Sequence, residues 1–357
     1  MSGEKIPKKR NQRADLLSNV ALNFFVPEEP GINWDIATAL AFDSSPNLEV
    51  KDIGSKREFY QQAVSVLEPL IKEFTKMKSS GVANIVLTER HTWIVNTTES
   101  IKELFDELFT PIWHLIENPK SSRLARKGSK ALVTSEIGLL LGFISQKVLG
   151  QYDIRITPNK TDDVLFIVEP NIAVKERELE LEGAPLRLWI LAHELTHRFQ
   201  FQHYKWLREY YFDLIRDVAT TLEKKLKKEK LTTLGTLSLL LDKKSRDQLA
   251  KIQALMSFVE GQADFVMQKV GAILPEYERL KDVFSRRPQE NTTVMKKLLE
   301  KAIGLDMKIN QYKQGFAFVK AIDETRGLSS LSEIDSPEKL PTLEEISAPQ
   351  KWLKRLG

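Results

Sequence analysis

Three residues in one segment of this sequence have types and spacing suited to chemistry: His193, Glu194 and His197, within PLRLWILAHELTHRFQFQH at 185–203. Helical residues advance by about 100° each, so histidines four apart stand about 40° from one another and about 6 Å along the axis. Two imidazoles so placed can hold one metal ion at about 2.0–2.1 Å. Glu194 falls about 100° round from His193, off the ligand line but within reach of a water beside the ion. This is the H-E-x-x-H arrangement, in which the carboxylate serves as general base. Pro185 suits the first turn of a helix, where its missing N–H costs nothing. Leu186, Leu188, Trp189, Ile190, Leu191, Ala192 and Leu195 then wrap the helix in apolar surface, which marks it as buried. Polar groups buried there without partners would cost on the order of several kcal/mol, so something must satisfy them.

A catalytic zinc needs a third protein ligand and keeps its fourth position for water. MSFVEGQADFVM, residues 256–267, supplies the expected one. Glu260 and Asp264 share one face of a second apolar helix, so Glu260 can ligate while Asp264 accepts the free ring N–H of a ligand histidine. Gly261, beside Glu260, lets another backbone approach closely. The bland alternative is an ion-paired couple on a helix face. His203 competes as third ligand, because HExxHxxGxxH sites place a histidine there. Such sites use glycine to turn the chain back, and here Gln200 stands at that position. If the helix continues, His203 lies about 9 Å beyond His197 and about 240° round from it, and misses the metal.

With no cysteine among 357 residues, disulfides, thiolate nucleophiles and Cys-rich zinc sites are excluded. Any zinc must be held by imidazole and carboxylate. At 42% hydrophobic and 29% charged the chain reads as an ordinary globular protein. The net charge of +4 gives no reason to expect nucleic acid as a partner. The most apolar stretch, Ile137–Ile144, is far shorter than the roughly 20 residues that span a bilayer, so no membrane partner is expected. The basic start followed by Leu16–Val26 resembles a signal peptide, but Ser18, Asn19 and Asn23 interrupt it and no cleavage site follows. Absent cysteine fits a reducing compartment, and the cytoplasm is the expected location.

The elements that must position these residues read as mostly helical, α+β. Residues 1–14 form a basic tail, expected to be mobile. Residues 15–203 form an N-terminal lobe of helices, a small sheet and the HExxH helix, and residues 204–357 a helical C-terminal lobe carrying Glu260. Tyr60, Val64, Leu67, Ile71 and Phe74 recur at helical spacing, with Gly81 as the expected stop. A second helix is expected from Ser100 toward His114, bent or interrupted at Pro111. Residues 119–130 read as a solvated basic loop and Val133–Val148 as a buried helix. The strands are expected at 153–157, Val164–Val168 and Glu178–Leu181, with a turn at Pro158–Asn159. Lys224–Lys230 reads as the solvated end of a long helix.

These residues together resemble a family of bacterial zinc-dependent metallopeptidases, zincin-like hydrolases of which some are labelled deazaflavin coenzyme biosynthesis-associated. The resemblance runs from about Val148 to the C-terminus. It is carried by LGQYDIRI, LWILAHELTHRFQF, KWLR, VEGQADFVM, IGLDMKINQYKQGFAFV and LPTLEEISAPQKWLKR. It implies a zincin fold of the Glu-ligand branch, one zinc on His193, His197 and Glu260, Glu194 as base and Asp264 behind a ligand. The family pattern has histidine where this chain has Gln262, a departure expected to bear on substrate contacts and not on the metal.

The expected function is zinc-dependent hydrolysis, of a peptide bond in a peptide or protein substrate. Tyr312, in the QYKQG segment, is the first choice to stabilise the oxyanion and Tyr211 the second; either could instead be a core tyrosine. A non-peptide amide hydrolase of cofactor metabolism and a zinc-binding interaction protein without turnover remain as alternatives. The intact Glu194 argues against the last, because a purely structural site has no use for it.

Overall fold

The computed structural model describes residues 31–116, 123–155, 163–181, 184–228, 243–273, 278 and 310–356. The basic tail at 1–14 and the Pro158–Asn159 turn lie outside the described residues. The architecture is α+β and mostly helical, with one small sheet. Among the described residues no helix is long and apolar enough to cross a membrane.

Helix α1 (Trp34–Ser44) is followed by α2 (Ile53–Thr75), which buries Tyr60, Ala63, Val64, Leu67 and Ile71 at the expected spacing. It stops at Lys76, in the left-handed region at φ 56°, before Gly81 is reached. Strand β1 (Asn84–Thr88) comes next, between the expected stop at Gly81 and the helix expected from Ser100, where no strand was expected. Helix α3 (Arg90–Ile116) starts ten residues before Ser100 and stays helical past Pro111. The expected loop at 119–130 is corrected in part, because α4 (Arg123–Ser145) is already helical from Arg123.

Strands β2 (Gly150–Tyr152) and β3 (Val164–Val168) complete a three-stranded sheet in the order β1-β3-β2. β1 runs parallel to β3, from Asn84 opposite Val164 to Thr88 opposite Val168. β2 runs antiparallel, with Gly150 opposite Ile167 and Tyr152 opposite Leu165. The pairing of β2 is therefore earlier in sequence than the expected 153–157. The alternation of a strand sorts the side chains of β3. Leu165 and Ile167 join the main core with Leu191 and Leu195, whereas Phe166 and Val168 join Trp93, Ile94 and Leu141 on the other face.

The expected strand at Glu178–Leu181 is instead the end of helix α5 (Glu169–Leu179), whose cap Glu180 is left-handed at φ 54°. Helix α6 (Pro185–His203) begins on Pro185 and carries the HExxH residues. It is followed by α7 (Leu207–Lys228) and α8 (Lys243–Gly271). The chain closes with α9 (Asn310–Arg326), two 3-10 turns (Leu328–Glu333 and Pro337–Lys339), α10 (Leu343–Ser347) and α11 (Pro349–Leu356).

Helix α8 lies between α6 and α9. Its close approach to α9 depends on glycine. A Cβ at Gly261 would collide with the backbone of Gly315, and one at Gly315 with the carbonyl of Ser257. Buried ion pairs fix α6 at two points. Near its start, Arg187 donates to Glu169, which also accepts from Lys56 Nζ at 2.6 Å and Tyr60 Oη at 2.5 Å. Further along, the fully buried Arg198 reaches Glu68 at 2.9 Å and Asp163 at 2.7 Å, and also donates to the carbonyl oxygens of Ser80 and Gly81.

Candidate metal centre

One turn of α6 sets His193 and His197 side by side, with their Nε2 atoms 3.0 Å apart and their rings nearly perpendicular, at 87°. From α8, Glu260 brings Oε2 to 3.4 Å from His193 Nε2 and 3.7 Å from His197 Nε2. This group of three could hold a metal ion. Ligand atoms about 2.0–2.2 Å from a tetrahedral zinc stand about 3.3 Å from one another, so the spacing found here fits zinc. The donor chemistry also fits, because two imidazoles and a carboxylate leave a fourth position free.

The second nitrogen of each imidazole faces a different partner. His193 Nδ1 lies 3.2 Å from Asp264 Oδ1, one turn along α8 from Glu260. His197 Nδ1 lies 2.9 Å from Oε1 of Gln200, on its own helix. His193 is held well above the ordinary imidazole range: burial lowers it, but hydrogen bonding to Asp264 and Glu260 outweighs burial. Burial raises the Glu260 carboxyl, but its electrostatic interaction with His197 and its hydrogen bond with His193 outweigh burial and bring it down to about 2. An anionic carboxylate thus faces the two imidazoles before any ion arrives.

Glu194 is buried and off the ligand line. Its Oε2 accepts from the backbone N–H of Tyr152 at 3.0 Å. Helix and strand meet closely here only because residue 150 is glycine. A Cβ on Gly150 would stand 2.7 Å from Glu194 Cγ and 3.1 Å from its Oε1. Burial pushes the Glu194 carboxyl above its usual range. Asn171 holds this end of β2 by donating to the carbonyl oxygens of Ser145 and Val148, and Val168 N–H donates to Leu149 O at 2.9 Å.

A cavity of about 400 Å³ opens over these residues. Among the described residues, its charged lining apart from the histidines is Glu194 and Glu260; the rest is largely apolar, including Ile154, Phe201, Leu255 and Val259. Tyr211 is in the wall, and burial followed by the charge of Glu260 raises its phenol. Tyr312 lies in the first turn of α9, and its side chain is outside the described residues.

His203 points away from the metal group: its Nε2 lies 2.8 Å from Ser332 O, and its Nδ1 accepts from Lys78 N–H at 3.1 Å. Gln262 corrects an expectation. It is fully buried against Gln200 and is not among the described residues that line the cavity, where a substrate contact was expected. β3 is the central strand, paired on one side with β1 and on the other with β2.

Sequence reasoning overlooked Gln200 and Gly150. A signal for Gln200 was present: a polar residue three places after His197, on the same face of an apolar helix. Gly150 carried no local signal, since its meaning lies in a contact made across the fold.

The family model of zincin-like metallopeptidases matches residues 32–353, a longer span than the resemblance expected from Val148 onward. A protein from Chloroflexus aurantiacus, described as a candidate hydrolase with a novel fold, has a solved structure that is 30% identical. The match covers 91% of this chain and 99% of that one, with a TM-score of 0.71. No curated protein matches the chain.

Proposed function

This chain belongs to the zincin-like metallopeptidases, a family of zinc-dependent hydrolases, and on that premise we propose that it cleaves peptide bonds. In this reading His193, His197 and Glu260 hold the ion and Glu194 is the general base. The observation that carries it is the convergence of three donor atoms at 3.0, 3.4 and 3.7 Å, with a fourth side left open to the cavity.

Zinc held there supplies a Lewis acid, which lowers the pKa of water to about 7 and polarises a carbonyl oxygen. Glu194 is engaged through Oε2 by Tyr152, which leaves Oε1 to take a proton from the attacking water. The same oxygen then delivers that proton to the leaving nitrogen. The hydroxyl of Tyr211, in the cavity wall, is the group to donate to the oxygen on which charge develops. Apolar side chains around the carboxylate exclude bulk water and strengthen each of these interactions.

The described lining favours a peptide over an anionic cofactor. No Lys or Arg lines the cavity among the described residues, and its two carboxylates would repel a polyanion. Incubation of the zinc-loaded protein with a peptide pool tests the reading, with new termini identified by mass spectrometry. Cleavage that stops on chelation and returns with zinc is expected. A pool left intact by the zinc-loaded protein would contradict it.

A further inference from the structure

Behind His197 runs a line of buried amides that ends on main-chain carbonyl oxygens. Gln200 and Gln262 are both fully buried, and Tyr204 nearly so. Gln200 Nε2 lies 2.8 Å from Val259 O and 2.9 Å from Gln262 Oε1. Gln262 Nε2 lies 3.5 Å from the Tyr204 hydroxyl, which donates to Leu331 O at 2.9 Å.

We infer that Gln200, Gln262 and Tyr204 form a one-way hydrogen-bond chain that fixes the proton of His197 on Nδ1 and so presents its Nε2 lone pair to the metal. This rests on the zinc reading above and adds the residues that prepare one ligand.

The direction follows from what each group can do. A main-chain carbonyl can only accept, so the NH2 of Gln200 must face Val259 O. Its Oε1 must then face His197, and that oxygen too can only accept. The Nδ1 of His197 therefore carries the hydrogen, and in the neutral ring the lone pair falls on Nε2. That nitrogen is the one facing His193 and Glu260.

The second amide fixes the first. Gln262 Oε1 accepts the other N–H of Gln200, while its NH2 is directed at a tyrosine oxygen whose own hydrogen is committed to Leu331 O. Turning Gln200 over would set its oxygen against two other oxygens, and turning Gln262 would set two NH2 groups together. Either leaves buried polar groups unpaired. The two ligand histidines are thus prepared differently. His193 faces a carboxylate, whereas His197 faces a neutral amide, which orients the ring without adding charge.

The full-length protein tests this in two ways. Zinc affinity, by competition with a chromophoric chelator, should fall about 10- to 100-fold in Gln200→Leu. In zinc-free protein labelled with 15N-histidine, the wild-type His197 ring should show a protonated Nδ1 and a bare Nε2, assigned by its loss in His197→Ala. Gln200→Leu should show a mixture of tautomers. Tyr204→Phe, which keeps the ring and removes only the last hydroxyl, should weaken zinc by about threefold.

Wild-type affinity together with an unchanged ring signature in Gln200→Leu would overturn the inference. If that variant does not fold, Tyr204→Phe decides, and wild-type affinity there contradicts the chain. Failure of the zinc reading would look different: the wild type itself would bind zinc no better than His193→Ala.

Discussion

The backbone N–H of Tyr152, on the edge strand β2, donates to Oε2 of Glu194, on α6, at 3.0 Å. The contact ties the carboxylate proposed as base to the sheet rather than to the metal group, and it exists because Gly150 has no side chain to keep the helix away.

Gly150→Ala should therefore displace Glu194 while leaving the metal group in place. A misplacement of about 1 Å at a catalytic group can cost about 100-fold in rate. The expected result is a kcat lowered by about 10- to 100-fold with zinc affinity within about twofold of wild type. Steady-state kinetics on a cleaved peptide, alongside a chelator titration, checks this. An unchanged kcat would mean that the position of Glu194 does not depend on this close approach.

Asp264→Asn should weaken zinc binding by about 10- to 100-fold, the usual effect of removing the partner of a ligand histidine. The reason is the 3.2 Å approach of Asp264 Oδ1 to His193 Nδ1. A dissociation constant equal to that of wild type would reduce Asp264 to a half-exposed helix residue with no part in the site.

Glu169→Gln should destabilise the fold by about 3 kcal/mol, in the range found when one partner of a buried ion pair is removed. Burial raises the Glu169 carboxyl, but hydrogen bonds from Arg187, Lys56 and Tyr60 outweigh it and leave the group below its ordinary 4.5. A lowered native value means stability that is present above 4.5 and lost as pH falls through the native value. Denaturant unfolding of the zinc-free proteins should give a wild-type advantage at neutral pH that shrinks in acid. An advantage that grows in acid would reverse the sign of this linkage.

Much of the site was legible in the sequence because its signals are local. His193, Glu194 and His197 sit in one apolar helix opened by Pro185, and Glu260 and Asp264 are one turn apart in another. The parts that escaped depend on contacts distant in sequence. β1 is five residues long, half-exposed over most of its length, and becomes a strand by pairing with residues 80 positions later. The alternating Glu-Leu-Glu-Leu at 178–181 reads as a strand, but α5 already runs into it from Glu169, and its leucines reach the core from a helix end. Gln200 was read only as a missing glycine, because its acceptor Val259 lies 59 residues on.

Glu260→Ala should lose most of its bound zinc, whereas His203→Ala should keep it. Glu260 Oε2 is within 3.7 Å of both histidine Nε2 atoms, while His203 is occupied by Lys78 and Ser332. Metal analysis of the two purified variants checks this. Zinc retained without Glu260 and lost without His203 would exchange their roles.

The most direct test of zinc-dependent hydrolysis with Glu194 as base is a comparison of wild type and Glu194→Gln at equal zinc content. Each protein is analysed for bound zinc and then incubated with the same peptide pool. The expected result is about one zinc per chain in both, with new peptide termini from the wild type and none above background from the variant. A zinc-replete variant that cleaves at the wild-type rate would contradict the assignment of Glu194, and a zinc-replete wild type that cleaves nothing would contradict the peptidase reading itself.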